Sequence, residues 1–423
     1  MKASHPRPSG DEPSPPLRRG RDSLSPQAPL PQGWSWVTIG DVCIRGTGTR
    51  DSRKEPDELF RYVDISSVDS RSKRISEAKV LMGRDAPSRA RQVIRTNDVL
   101  VATTRPNLNA VALIPLELDN EICSTGFCVL RSNGEIEPEY LFAFVQTTAF
   151  VRSLTDLVKG ALYPAVTDGQ VRAQTLPLAP LPEQRRIAAR LREQFAEVAK
   201  ARAAVQAQFD TARTLPVGHL RAIFDSPVAQ RWPRCKLGDL LRLRKEVVHP
   251  RDNPRGPAVF VGLEHVQPLT GCRLGSLPLE MSELTGRKPR FYSGDIVYGY
   301  LRPYLNKLWV AEFDGLCSVD QYVYEVNQNR AETDFVAWFM RSPVYLERAP
   351  IETTPGQLPR IRTEEVASVE INLPTRPEQK SVVAKMQKKF LEATRLNESL
   401  SARLSALDHL PAALLREAFS GRL

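Results

Sequence analysis

The sequence contains no Cys-x-x-Cys pair. Its six cysteines (Cys43, Cys123, Cys128, Cys235, Cys272 and Cys317) are dispersed, and its five histidines fall singly at 5, 219, 249, 265 and 409. Neither set has the spacing of a zinc site, so the cysteines read as buried free thiols in a reducing cytoplasm. No apolar run approaches the ~20 residues a membrane span needs. The opening "MKASHPRPSGDEPSPPLRRGRDSLSPQAPL" lacks the apolar stretch of a signal peptide and reads as a disordered Pro/Arg-rich extension over 1–30. No Asn/Asp-Pro-Pro-Tyr occurs, and "GTGTR" at 46–50 is followed by no Gly-Lys-Ser/Thr, so it is not a phosphate-binding loop. No serine or cysteine has an evident histidine partner for nucleophilic catalysis. Asp57, Glu77 and Lys79 make a loose nuclease-like trio, but the second half of the chain has no equivalent.

What is present is positive charge. The chain has 423 residues, a net charge of +10 and a pI near 9.4, a balance that favours a polyanion such as nucleic acid as partner. The length suggests two to four domains. A content of 41% hydrophobic and 26% charged residues fits a soluble globular protein.

The chain also repeats itself. "LPEQRRIAARL" begins at Leu181 and "RPEQKSVVAKM" at Arg376. The spacing from Pro182 to Pro377 holds from Ile187 to Val382, Leu191 to Met386, Phe195 to Phe390 and Pro216 to Pro411, and "LRAIF" at 220–224 answers "LREAF" at 415–419. Constant spacing suits a helix, where one inserted residue rotates everything after it by ~100°. Upstream the likeness continues with small drifts. "NDVLVATTRPNLN" (97–109) resembles "GDIVYGYLRPYLN" (294–306), "ICSTGFCVL" (122–130) resembles "LCSVDQYVY" (316–324), and "YLFAFVQTTAF" (140–150) resembles "FVAWFMRSPVY" (335–345). The chain is thus a tandem duplication.

The pattern predicts an α+β protein with two globular domains, 31–181 and 227–376, alternating with helical spacers, 182–226 and 377–423. "DVLVATT" and "DIVYGYL" read as strands, and "PEYLFAFVQTTAFVRSL" and "TDFVAWFMRSPVYLE" carry helical spacing. The first long helix, from Pro182 to about Thr214, would run about 50 Å. Its seam is Leu191, Phe195, Val198, Arg202, Val205, Phe209 and Ala212; the second helix repeats it with Met386, Phe390, Ala393, Asn397, Leu400, Leu404 and Leu407. Both step in the coiled-coil period with one polar residue at the centre. Matched seams predict an antiparallel pair related by a pseudo-two-fold axis, with Arg202 facing Asn397.

Candidate DNA-contacting residues are those in polar loops that recur. Arg105, Asn107 and Asn109 correspond to Arg302, Tyr304 and Asn306, with Lys307 adding charge. Arg can grip guanine, Asn adenine, and Lys phosphate; an Arg-Pro turn can equally be structural. The Gly-bearing loops add Lys159, Gly160 and Tyr163, and Gln357 and Arg360. Arg45, Arg50, Arg53, Lys54, Arg242, Arg244 and Lys245 fit phosphate contact or a solvated face.

Two variable domains, helices opening "LAPLPEQ" and "LPTRPEQ", and the ending "LLREAFSGRL" together resemble the specificity (S) subunit of type I restriction–modification systems. The likeness covers about 31–423. "GDIVYGYLRPYLNKLWVAEFDGLCSVDQYV" resembles one type of target-recognition domain of that family, whereas "ATTRPNLNAVAL" lacks the usual lysine after its Asn. The resemblance implies a non-catalytic cytoplasmic protein that reads a bipartite duplex DNA target, one half per domain. It implies docking of two adenine-methyltransferase (M) subunits on the helices, with two restriction (R) subunits joining in systems that carry them. It implies no cofactor on this chain: S-adenosylmethionine would sit on M, and ATP and Mg on R. Helices of about 50 Å would set half-sites about one to one and a half duplex turns apart. A stand-alone DNA-binding regulator or a coiled-coil scaffold is the alternative from another class.

Overall fold

Each Pro-Glu-Gln folds the same way. In the computed structural model, which describes residues 29–158, 164–252, 255–351 and 358–423, Gln184 and Gln379 are both 0% exposed. Gln184 Oε1 accepts from Glu137 N (2.8 Å), and its Nε2 donates to the carbonyls of Glu135 (3.1 Å) and Ala179 (2.8 Å). Gln379 repeats this with Glu332 N (2.8 Å), Arg330 O (3.3 Å) and Pro374 O (2.9 Å). An amide has one acceptor and two donors, and all are used. The motif therefore has a folding role: it fastens a helix start to the domain before it.

The chain forms two units, Met1–Ala203 with Ser405–Leu423, and Ala204–Leu404. The division falls inside the long helices rather than at their ends. In the first unit a four-stranded sheet has the order Lys79–Met82, Leu59–Val63, Ile122–Ser124, Ala90–Val93. The second has the order Leu277–Glu280, Pro257–Val261, Gly315–Cys317, Lys288–Phe291, with Val247–Val248 added at the edge. Both sheets contain one parallel pairing at the equivalent place, Val63 opposite Cys123 and Val261 opposite Cys317. A second sheet is built on Val99–Ala102 or Ile296–Gly299, flanked by Phe127–Leu130 and Val111–Leu113, or by Gln321–Val326 and Leu308–Val310. The apolar runs read as strands are fully buried ones. A short antiparallel pair closes each domain before its helix, Ser35–Thr38 with Thr175–Leu178 and Arg234–Lys236 with Glu370–Asn372.

Each segment with helical spacing is two helices, not one. Thr147 accepts from Phe150 N and starts Thr148–Asp156 after Pro138–Phe144. Ser342 likewise accepts from Tyr345 N, and Pro343 then opens Pro343–Arg348 after Thr333–Arg341. Hydroxyl caps restart a helix by satisfying its free N–H groups.

The long helices outrun the expected end near Thr214. They are Leu181–Phe224 and Arg376–Phe419, 44 residues each, or about 66 Å. Both pass through an internal proline, Pro216 and Pro411. What holds their last turns is aromatic packing. Phe419 lies 4.9 Å from Tyr140 and 5.4 Å from Phe144 (ring centroids), and Phe224 lies 5.5 Å from both Phe335 and Phe339. A buried aromatic contributes ~3–5 kcal/mol relative to Ala, enough to offset a proline's ~3 kcal/mol. Each domain core is thus closed by the start of the helix that follows it and the end of the other long helix.

In the first unit the helix segments run antiparallel: Arg186 donates to the Leu423 carbonyl (2.7 Å), and Arg202 Nε to Asp408 (2.7 Å). The expected register is corrected here, because Arg202 meets Asp408 and not Asn397. Asn397 is half-buried in the second unit, its Oδ1 without a hydrogen-bond partner among the described residues. From 397 to 408 is three helical turns plus about 20°, so both registers keep the same stripes inward. All fourteen seam positions are buried or half-buried. In the first unit the register is held by the core that takes Leu191 from one helix and Phe419 from the other, and the Arg202–Asp408 pair adds a smaller, solvent-screened contribution.

Two outcomes follow. Gln184→Ala or Gln379→Ala leaves a buried N–H and buried carbonyls unpaired and lowers unfolding free energy by about 2–4 kcal/mol in denaturant titration; a change below about 0.5 kcal/mol contradicts the clamp. A double-mutant cycle on Arg202 and Asp408, side chains 29% and 44% exposed, gives a coupling of about 0.2–1 kcal/mol. The same cycle on Arg202 and Asn397 gives none; the reverse result restores the first register.

Candidate nucleic-acid interface

Arg-Pro makes one turn in both repeats. Arg105 and Arg302 each sit at φ 50°, ψ 58°, and the closing Asn109 and Asn306 at φ 46° and 44°. Left-handed backbone suits Asn and is uncommon for Arg, and a residue before proline is already barred from the right-handed helix. The turn is held by backbone: Arg105 N donates to Pro164 O (2.8 Å) and Arg302 N to Pro359 O (2.7 Å). A strained residue costs about 1–3 kcal/mol and persists where surroundings over-determine it. Both guanidiniums are exposed, as are Asn107 and Tyr304 at the turn's tip. Neither arginine has an ion pair or side-chain hydrogen bond among the described residues.

The closing positions are not part of that exposed set. Asn306 is 0% exposed, and its Nδ2 donates to Met340 O (2.8 Å). As a DNA contact it is corrected: it ties the turn to the helix Thr333–Arg341. Lys307 is half-buried, with its Nζ donating to Leu263 O (2.6 Å). Asn109 is half-buried; its carbonyl accepts from Lys73 Nζ (2.6 Å). The first domain therefore braces its turn with a lysine from a distant hairpin, Val68–Ile75, in place of the lysine missing after its Asn. Burial pushes the Lys73 ammonium down to about 8, against a smaller opposing effect of Asp69. Nothing in the sequence marked Lys73, which lies in a run of polar residues.

Lys159, Gly160, Tyr163 and Gln357 lie outside the described residues. Arg360 is half-buried and bridges Leu301 through its backbone. Of the dispersed basic residues, Arg50 pairs with Glu55 and Glu58, and Arg53 with Asp51. Arg242 pairs with Glu325, and Arg244 with Asp295 at 2.6 Å. Arg45, Lys54 and Lys245 are exposed with no such pair among the described residues. The nuclease-like trio dissolves: Asp57 is engaged by Arg84, and Lys79 by Asp64. Among the described residues no group of three His, Cys, Asp or Glu could hold a metal, and no helix is long and apolar enough to cross a membrane.

The two turns differ beside the arginine. In the second unit Tyr300 and Tyr322 stack, centroids 4.4 Å apart and planes at 19°. The first unit has Thr103 and Cys128 at these positions, with Thr103 Oγ1 donating to Gly126 O (2.9 Å). The alternation Tyr298–Tyr300 and Tyr322–Tyr324 was the available signal, since residues two apart share a sheet face.

Residues 31–204 match the family model for the type I restriction modification DNA specificity domain. The chain is 26% identical over 196 residues to the type I restriction enzyme EcoDI specificity subunit of Escherichia coli, covering 46% of this chain and 43% of that one. It is 24% identical over 158 residues to the HindI specificity subunit of Haemophilus influenzae, covering 36% and 33%. The chain thus spans less than half the length of these curated relatives. Two solved structures are matched over their whole length. One, from work on complex assembly and conformational transition of the type I R-M system, is 31% identical with a TM-score of 0.79, covering 93% of this chain. The other, the HsdS subunit from Thermoanaerobacter tengcongensis, is 30% identical with a TM-score of 0.67, covering 95%. Their full-length agreement and the matched recognition domain place this α+β chain in the family of type I restriction–modification specificity subunits.

Proposed function

We propose that the chain is a non-catalytic DNA reader that recognises a bipartite duplex target, one half with each recognition domain. One observation carries this: an exposed arginine in the same strained left-handed turn, made twice, once per domain. Strain at a residue whose side chain has no internal partner is intelligible when that side chain serves an external one. Arg105 and Arg302 are the groups offered to guanine edges or phosphate, with Asn107 and Tyr304 beside them. The net charge of +10 supplies the attraction to the duplex.

The long helices carry adenine-methyltransferase subunits, with restriction subunits joining where the system has them. In this reading S-adenosylmethionine belongs to the methyltransferase, and ATP and Mg to the restriction subunit. The complex works in the cytoplasm, where the chromosome lies.

Methylome sequencing with and without the gene tests the assignment. Loss of a single split adenine motif is expected; an unchanged methylome refutes it, as does methyl transfer by the pure, isolated chain. In the same assay Arg105→Ala relaxes one half of the motif and Arg302→Ala the other, each by ~1–3 kcal/mol if the contact is to a base. Both substitutions affecting the same half contradicts the division of labour.

A further inference from the structure

Tyr298 and Tyr300 lie on one face of the strand that leads into the Arg302 turn, and Tyr322 and Tyr324 lie across from them, Tyr298 opposite Tyr322. The inner two are buried, Tyr298 at 0% and Tyr324 at 3% exposed, while Tyr300 and Tyr322 are half-buried. An aromatic stripe therefore runs from the core to the surface and ends at the exposed Arg302, two residues beyond Tyr300. Tyr322 has its hydroxyl turned onto Ile361 O (3.3 Å), so its outward offering is ring and not donor. The stacked pair is rigid and loses little conformational freedom on binding.

From this placement, and resting on the DNA-reading function above, we propose that Tyr300 and Tyr322 determine part of the second half-site by packing against the methyl group of a thymine. The 5-methyl of thymine is the apolar feature that base edges present in the major groove. A half-buried aromatic edge two residues from an exposed arginine gives this segment two modes of reading, apolar contact and hydrogen bonding. The first domain has the buried Thr103 and Cys128 at these places and offers no aromatic ring beside its turn. The two halves of the target are thus read by different chemistry on the same backbone.

The test uses the full chain together with its methyltransferase partner. The half assigned to the second domain is the one that Arg302→Ala relaxes. Duplexes carrying uracil in place of each thymine in turn remove only a methyl group. One or two positions in that half should lose affinity about 5- to 20-fold, with no loss in the other half; no loss at any thymine, or a second half without thymine, overturns the proposal. Tyr300→Thr with Tyr322→Cys, the residues of the first repeat, should relax the same positions in the methylome and leave the first half intact. Full methylation with an unchanged second half overturns it. Tyr322→Phe keeps the ring and should keep the target, and a target altered by that loss of hydroxyl alone counts against ring packing. The uracil series uses unaltered protein, so it decides even where the double variant fails to fold. Absence of any split motif in the unaltered strain defeats the DNA-reading function itself, whereas a motif indifferent to uracil and to the tyrosines defeats only this inference.

Discussion

A buried amide governs the architecture. Gln184 and Gln379 each reach back from the first turn of a long helix and bind three backbone groups of the preceding domain. Buried amides and carbonyls without partners are costly, so the helix can leave its domain in only one direction. A flexible joint there would let each recognition surface wander. Glutamate cannot replace the residue, because it would offer no donor to the two carbonyls and would place a charge at 0% exposure. Proline and glutamate ahead of it suit any helix start; the glutamine is the specific member of the motif.

Behind each turn the same constraint was met with different residues. Asp98 and Asp295 occupy equivalent places before the central strand, 1% and 2% exposed. Asp98 is neutralised by Arg131, at 2.7 Å, on the segment after Phe127–Leu130. The equivalent of Arg131 in the second unit is Glu325, and Asp295 takes Arg244, from beyond Leu241–Leu243. A buried carboxylate must have a cation, but the strand that supplies it is free to change. This explains why the basic residues divided as they did: Arg244 is committed to a carboxylate that the second domain buries, while Arg45 in the first domain has no such duty.

Much of this was legible in the sequence because duplication is its own control. Constant spacing after Pro182 and Pro377 marked a long helix in both copies, though the first was expected to end near Thr214 and runs to Phe224, and buried strands showed as apolar runs after Asp98 and Asp295. Register was not legible. Heptad stripes repeat at nearly the same angle after eleven residues, so an apolar seam accepts more than one alignment. The choice lay where Leu191 and Phe419 enter one core, with Arg202 then meeting the off-seam Asp408, a meeting of distant segments that could not be seen without the fold. The roles of Asn306 and Lys307 were hidden for a related reason. A polar residue next to an exposed arginine looks available, yet left-handed backbone at Asn306 turns its amide inward to Met340.

The two turns show how specificity can diverge while geometry does not. Arg105 and Arg302 share φ and ψ to the degree, although most of what surrounds them has changed: Lys73 from a distant hairpin against Lys307 of the turn itself, Thr103 against Tyr300, Cys128 against Tyr322. Backbone hydrogen bonds from Arg105 and Arg302 to the Pro164 and Pro359 carbonyls define the turn in both copies, and these require no particular side chain. A loop fixed through its own side chains would lose its shape when they changed. One fixed through backbone can exchange every group it displays at little cost to stability. That separation is what a protein needs if its domains must read different sequences from the same position on one scaffold.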